Sequence, residues 1–416
     1  MLPSNKSNVR WWILSLLFLA TTINYLDRIA FSVLIPLIRT DLHIDDIMYG
    51  FINGSFTIVY AVGFIFMGKF IDRYGTRIGF SVAVFFWSVA ACLHAFSSSA
   101  VNLGVWRGFL GGAEAGNFPA AIKSVAEWFP KKERAFATGI FNAGSNVASM
   151  LGPQMFVAMS AAFGWRACFL ITGSLGFVWL GGWLLMYQKP VDHKGVSDSE
   201  RELILSDREV EGPSVGWGEM LKHRETWGFG LAKFLTDPVW WFYLYWLPPY
   251  FYDVRKLKLT EIAWALPVIY LMADVGSIGG GWLSGYFIGR GWPVSKARKV
   301  TMAICACCMP VAATAVLVEN IFLTIALISL ATAAHQGWSA NLFTTTSDVF
   351  PKHAVASVTG FGGFMGSSFG FICSIATGYI VSGFGYVPVF LIMGSFHLIA
   401  WLAVHNMLGD LRRVEL

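Results

Sequence analysis

Residues 11–37 read WWILSLLFLATTINYLDRIAFSVLIPL. The stretch is long and apolar enough to cross a bilayer, which takes about 20 such residues. Its middle, however, is Asn24-Tyr25-Leu26-Asp27-Arg28. An Asp or Arg at mid-membrane costs roughly 2.5–3.5 kcal/mol on insertion scales. A span that carries both side by side turns them to a polar interior, away from lipid. A second apolar run, 100–122, holds Arg107 and Glu114. Seven residues make two helical turns, so this pair shares one face about 10 Å apart. The rest of the chain reads as a frame around these four charges.

Composition agrees. The 416 residues are 56% hydrophobic and 13% charged, where about 25% charged is usual in a soluble domain. The class is an all-α, polytopic membrane protein. Hydropathy places twelve spans at 11–37, 48–67, 78–96, 100–122, 135–161, 165–187, 227–251, 262–288, 300–318, 321–345, 354–381 and 386–407. Lys6 and Arg10 precede the first span as in a signal peptide, but the run is too long and no cleavage site closes a short core. Nine acidic and six basic residues lie between Tyr187 and Trp227. They divide the chain into six-helix bundles at 1–190 and 226–416, joined by a cytoplasmic linker at 191–225. With both termini cytoplasmic, 22 Lys and Arg fall in inside loops and tails, and five (Arg39, Arg166, Arg255, Lys256, Lys258) outside. Positive charge imposes this sidedness. The net charge of +5 therefore follows the membrane, and no nucleic-acid partner is expected. The six cysteines lie in apolar runs without zinc-ligand spacing, so no metal or cofactor is expected.

The two sets of six spans repeat each other. One offset, 221, maps Gly68 to Gly289, Arg77 to Arg298, Phe129-Pro130-Lys131 to Phe350-Pro351-Lys352 and Thr138-Gly139 to Thr359-Gly360. Parallel duplication is the layout of a two-bundle transporter with its site near the midplane between the halves. The same offset sets His335 opposite Glu114. Glycine ridges at i, i+4 (104, 108, 112 and 116; 281, 285 and 289; 362, 366 and 370) mark close helix packing. They serve either helices that rock or static contacts.

The chemistry follows from residue types. Arg28 suits a carboxylate because a guanidinium bonds both oxygens, and Asp27 is a proton carrier. The alternative is a buried Asp27–Arg28 pair that only fixes packing. Tyr25, one turn before Arg28, suits a hydroxylated ligand. Glu114 lies in Gly111-Gly112-Ala113-Glu114-Ala115-Gly116 with no cation within one turn. It is either a proton site or a structural acid. On span seven, Lys233 and Asp237 stand at i, i+4 and either neutralise each other or add charge beside an anion. Trp241 and Tyr245 repeat that spacing, and either stack on a sugar ring or form an aromatic belt. Pro238 and Pro248 loosen this helix and suit a gate. Span ten sets His335, Gln336, Trp338, Ser339 and Asn341 within seven residues, a set fitted to a polyhydroxylated ligand. His335 is either a proton relay or a core histidine. Asp274 on span eight is assigned a structural or gating partnership with the basic loop that follows.

The loop after span two reads Gly68-Lys69-Phe70-Ile71-Asp72-Arg73-Tyr74-Gly75-Thr76-Arg77. It resembles the major facilitator superfamily signature Gly-x-x-x-Asp-Arg-x-Gly-x-Arg, matched at Gly68, Asp72, Arg73, Gly75 and Arg77. The second-half loop keeps Gly289 and Arg298 but lacks the Asp. Within that superfamily the chain resembles the anion:cation symporters, and most closely bacterial hexuronate transporters. Asn24 to Arg28, the run from Arg107 to Ser145 and the run from Asp237 to Pro248 carry the resemblance.

It implies proton-coupled uptake of a sugar acid such as glucuronate or galacturonate across a bacterial inner membrane. It assigns protons to Asp27 and Glu114, with Arg107 coupled to the Glu. The substrate falls to Tyr25, Arg28 and Tyr60, with Lys233 adding positive charge near the anion. A monomer is expected. The rival readings are a carrier of another anion (an aldonate such as galactonate, a dicarboxylate or phosphate), a non-transporting sensor, and an enzyme. Only the Gly-x-Ser-x-Gly match through Ser368 speaks for the last, and it sits inside a span where its strand–turn–helix context has no place.

Overall fold

In lipid a backbone must satisfy its own hydrogen bonds, and a helix does so within one segment. The computed structural model describes residues 7–205, 217–412 and 414, and shows helices and turns with no strand among them. The order is α1 Val9–Leu42, α2 Asp46–Tyr74, α3 Thr76–His94, α4 Ala100–Glu114, α5 Asn117–Trp128, α6 Lys131–Met186, α7 Asp198–Leu205, α8 Trp217–Met220, α9 Arg224–Asp253, α10 Leu259–Gly289, α11 Val294–Ala313, α12 Ile321–Val349, α13 Lys352–Phe384 and α14 Tyr386–Met407. Nine described helices are long and apolar enough to cross a membrane. One of them holds two crossings. Gly164 takes φ +80° inside α6, and the chain folds back there, so that Cys168 Sγ reaches the Phe156 carbonyl at 3.9 Å. Joining α4 to α5 across Ala115-Gly116, and adding the aromatic α9, fits the twelve crossings read from hydropathy.

The duplication is visible in the helix boundaries themselves. Adding 221 to the start of α4 and the end of α5 gives the bounds of α12; adding it to Lys131–Met186 gives the start of α13 and the end of α14. Gly164 (φ +80°) maps onto Gly385 (φ +74°). Both occupy the left-handed region, which costs glycine least. Ser99 and Asn320, also one offset apart, cap α4 and α12 by accepting from Asn102 N at 3.2 Å and Leu323 N at 3.1 Å.

The linker attaches itself to the start of the chain. Glu200 of α7 accepts from the backbone N–H groups of Val9 and Arg10, each at 3.2 Å. An acid at a helix N-terminus satisfies orphan donors and meets the positive end of the dipole. We call this the linker end of the molecule, and the opposite the far end.

Contacts between the halves concentrate at mid-helix and at the far end. Arg39 of α1 pairs with Asp253 of α9 at 2.6 Å and also with Asp46. Tyr49 donates to the Tyr245 carbonyl, and Ser374 to the Gly50 carbonyl at 3.0 Å. Among the described residues, no hydrogen bond or ion pair joins the halves at the linker end.

Small residues set how closely helices pack, though not always the ones the spacing picks out. The ridge after Ser99 is pressed only at its later members: a Cβ at Gly112 would lie 3.0 Å from Val59 Cγ1 and one at Gly116 2.7 Å from Met67 Cε, while the closest backbone approach falls off the ridge, at Gly111, 2.4 Å from the Phe56 carbonyl of α2. On α10 the expected ridge is wrong. Gly281, Gly285 and Gly289 would meet nothing within 4 Å, whereas a Cβ at Gly276 would lie 2.1 Å from the Ala333 carbonyl and one at Gly280 2.5 Å from Gly337 Cα, both on α12. Periodicity finds a face of small residues, but the partner helix decides which member of it is pressed.

Overpacking of a filled interior costs typically about 1–3 kcal/mol. Gly276→Ala should therefore lower the thermal unfolding midpoint of the detergent-purified protein by several degrees, while Gly281→Ala should leave it within a degree of wild type. Equal midpoints for the two variants would refute this account of the α10–α12 contact.

Candidate functional site

The centre is built from α1, α2, α4 and α9. Asp27, Arg28, Arg107 and Glu114 are all 2% exposed or less. The partner of Glu114 is Arg28: Nε and Nη2 both reach Glu114 Oε2, at 3.1 and 2.9 Å. Arg28 also donates to Asn24 Oδ1, one turn back, at 3.3 Å. This corrects the Asp27–Arg28 pair considered above. Neighbours on a helix point about 100° apart, and the carboxylate that answers Arg28 comes from another helix. Arg107 uses its guanidinium on the backbone, donating to the Arg28 carbonyl at 2.7 Å and the Asp27 carbonyl at 3.5 Å. It fixes the α1 segment that carries the other two charges.

Glu114 is the last residue of α4. The chain turns at Ala115-Gly116, where the Gly116 amide donates to the Ala113 carbonyl at 3.3 Å, and then resumes as α5. A tight turn inside a span commonly marks a functional position. Its duplicate, α12, runs unbroken through Gln336-Gly337.

Aromatic rings enclose both arginines. Arg28 lies 4.6 Å from the Tyr25 ring, 4.8 Å from Tyr60, 5.1 Å from Phe56 and 5.6 Å from Trp241. Arg107 lies 4.8 Å from Phe56 and 5.7 Å from Tyr245. Such contacts stabilise a desolvated cation by about 2 kcal/mol. Trp241 and Tyr245 stack on each other at 5.5 Å, with Trp241 also edge-on to Tyr60 at 6.2 Å. Tyr25, Tyr60 and Trp241 thus converge on Arg28.

Several polar atoms here are buried without a hydrogen bond: both oxygens of Asp27, Oε1 of Glu114, both side-chain polar atoms of Asn53 and the Tyr245 hydroxyl. Thr172 stands beside Asp27. Buried polar atoms in folded proteins are nearly always satisfied, and exceptions need a reason. The open acceptor positions of the two acids can be met by protons or by hydroxyl donors.

Other candidates sit elsewhere. Lys233 and Asp237 pair at 2.8 Å. Asn341, read as a ligand group, is committed to packing: its Nδ2 donates to the Gly280 and Gly337 carbonyls at 3.0 and 2.9 Å. Ser339 is half-buried on α12, without a hydrogen bond to the arginine cluster among the described residues. His335 stacks on Trp240 and lies 3.2 Å from His397 Nε2. Asp274 accepts from Asn146 of α6, in the other half, and not from the loop after α10. Residue number placed it near that loop; the crossing of α6 and α10 decided otherwise. In the signature loop, Gly75 makes the turn at φ +83° while Gly68 lies inside α2, so only one of the two glycines serves the turn; Arg77 donates to the Leu184 carbonyl at 2.6 Å and Arg73 lies over Tyr74. The side chain of Asp72 lies outside the described residues.

Phe56, Asn53 and His397 were not read from sequence. An isolated amide in span two and a mid-span histidine in span twelve are detectable signals. Phe56, one apolar residue among many, offered none.

The pattern of the Major Facilitator Superfamily matches residues 17–374. The chain is 31% identical to the hexuronate transporter of Escherichia coli K12 over 98% of this chain and 96% of that one. It is 35% identical to the galacturonate transporter of Dickeya chrysanthemi over 66% of this chain and 81% of that one. It is 27% identical to the D-galactonate transporter of Escherichia coli CFT073 over 97% of each. In fold it matches a bacterial homologue of the human lysosomal transporter Spinster, solved inward-facing and occupied, with a TM-score of 0.77 at 20% identity over 98% of this chain and 99% of that one.

Breaking a buried ion pair from one side costs about 3–5 kcal/mol. Thermal unfolding should rank wild type above Glu114→Gln, which keeps an acceptor for Arg28, and Glu114→Gln above Glu114→Ala. An alanine variant as stable as wild type would contradict the pairing.

Proposed function

The chain belongs to the Major Facilitator Superfamily, a family of transporters, and from that premise we propose that it is a proton-coupled importer of a hexuronate such as glucuronate or galacturonate. The observation that carries this reading is the Arg28–Glu114 pair inside an aromatic cage, beside an Asp27 with no partner of its own. Arg28 has two prospective partners, Glu114 and the carboxylate of a sugar acid. It can hold only one of them well. A proton on Glu114 releases Arg28; the substrate carboxylate then takes the guanidinium with two parallel bonds. Tyr25 and Tyr60 meet its hydroxyls, and Trp241 offers its face to the ring. Asp27 takes the second proton, and Arg107 holds α1 in register.

Bundles at 1–190 and 226–416 rock about this site, with 191–225 as the connection. We place the chain in a bacterial inner membrane with the linker end and both termini cytoplasmic. On that placement the far-end contacts of Arg39, Tyr49 and Ser374 close the outside. The described arrangement then follows loss of the proton from Glu114 and departure of the carboxylate. Support for the substrate class comes from relatives named for hexuronate and galacturonate. The D-galactonate relative makes an aldonate the competitor to test.

Proteoliposomes with an inward acid gradient should accumulate labelled galacturonate, with glucuronate competing and galactonate competing less. Arg28→Lys retains charge but not the two-pronged donor, and should lower uptake by at least about tenfold, on the order of 1.4 kcal/mol. Glu114→Gln should abolish accumulation driven by the gradient. Uptake indifferent to the gradient in wild type and Glu114→Gln alike would remove the coupling; uptake of galactonate alone would move the substrate class.

A further inference from the structure

Lys233, Asp237, Trp241 and Tyr245 are four successive i, i+4 positions of α9. They form one stripe, each step rising about 6 Å. Its upper two members border the arginines, at 5.6 Å from Arg28 for Trp241 and 5.7 Å from Arg107 for Tyr245. Its lower two continue toward the linker end. The Lys233 and Asp237 side chains are 10% and 18% exposed, against 2% and 0% for Arg28 and Glu114. The stripe therefore runs from the closed arginine cluster to a more open pair of charges.

The back wall of this stripe is α13, through glycines at the same spacing. A Cβ at Gly362 would lie 3.0 Å from Lys233 Cγ, one at Gly366 2.1 Å from Asp237 Oδ2 and one at Gly370 3.0 Å from Trp241 Cδ1. The three side chains lie flat against bare backbone. Lys233 Nζ rests 4.4 Å from the Phe343 ring and 2.8 Å from Asp237 Oδ1. Its charge is thus answered within its own helix. An anion held by Arg28 and laid along Trp241 extends toward a pair whose net charge is zero.

We propose that Asp237 sets the number of carboxylates the substrate carries. By occupying Lys233 it makes this end of the site a place for uncharged hydroxyls, and refuses a second carboxylate there. Removal of the Asp237 charge leaves Lys233 as a free cation two turns below Trp241, its long side chain placed to reach the distal carboxylate of a six-carbon diacid. This inference rests on the reading of Arg28 and Trp241 as the ligand platform. A specificity built by an unfavourable charge against the wrong ligand is a general device.

Galacturonate and galactarate test it, because they share a carbon skeleton and differ in carrying one carboxylate or two. Wild-type proteoliposomes should accumulate galacturonate in at least tenfold preference to galactarate. In Asp237→Asn the galactarate-to-galacturonate ratio should rise at least tenfold, Asp237→Glu should keep the wild-type ratio, and Lys233→Gln added to Asp237→Asn should abolish the rise. A wild type that takes both substrates equally overturns the inference without any variant. So does an Asp237→Asn ratio equal to wild type, measured by uptake or, if that variant does not transport, by ligand protection of the purified protein against thermal unfolding. Absence of galacturonate uptake in wild type would instead overturn the hexuronate reading on which the inference stands.

Discussion

A buried arginine must be answered, and in this protein Arg28 is answered by Glu114 from a different helix. That contact makes the first half of the molecule coherent. It pins α1 to α4, explains why α2 presents Phe56 and Tyr60 to the same point, and gives Arg107 its task of holding the α1 backbone. A charge pair in so dry a place is weak evidence for stability, because desolvation offsets much of the attraction. On the proposed function its value lies in being exchangeable: one partner would take a proton and the other an anion.

The second half contributes shape more than charge. The first-half positions Arg107 and Glu114 map onto Ile328 and His335 under the offset of 221. Trp241 and Tyr245 of α9 nevertheless close the aromatic cage around both arginines. Duplication thus supplied two matching frames, down to the left-handed glycines at 164 and 385, and the chemistry diverged inside them. The turn after Glu114 is one such divergence: α4 and α5 part there, while the matching α12 passes through unbroken.

Helix α13 links the two frames. Gly362, Gly366 and Gly370 lie against α9 of its own half. One turn on, Ser374 donates to the Gly50 carbonyl of α2, and a Cβ at Gly378 would lie 2.5 Å from the Asp46 carbonyl. In a bilayer, where apolar burial gives little net attraction between helices, close backbone approach through small residues supplies the contact energy. The same ridge therefore sets both the wall of the site and the seam that closes the far end.

Much of this was legible in the chain alone. Length and hydropathy dictate membrane helices, because lipid leaves the backbone no other way to satisfy itself. The constant offset reveals the duplication, since boundaries and caps are local features written in local sequence. Asp27, Arg28, Arg107 and Glu114 announce themselves because a charge in an apolar run is costly and must be turned inward to a partner. What the sequence could not decide was who answers whom. That Glu114 belongs to Arg28, that Arg107 serves carbonyls, that Asn341 packs, that Asp274 meets Asn146, and that Gly276 rather than Gly281 is pressed all depend on helices far apart in the chain meeting at particular angles. Periodicity names the face of a helix; only the tertiary structure chooses the neighbour that face will meet.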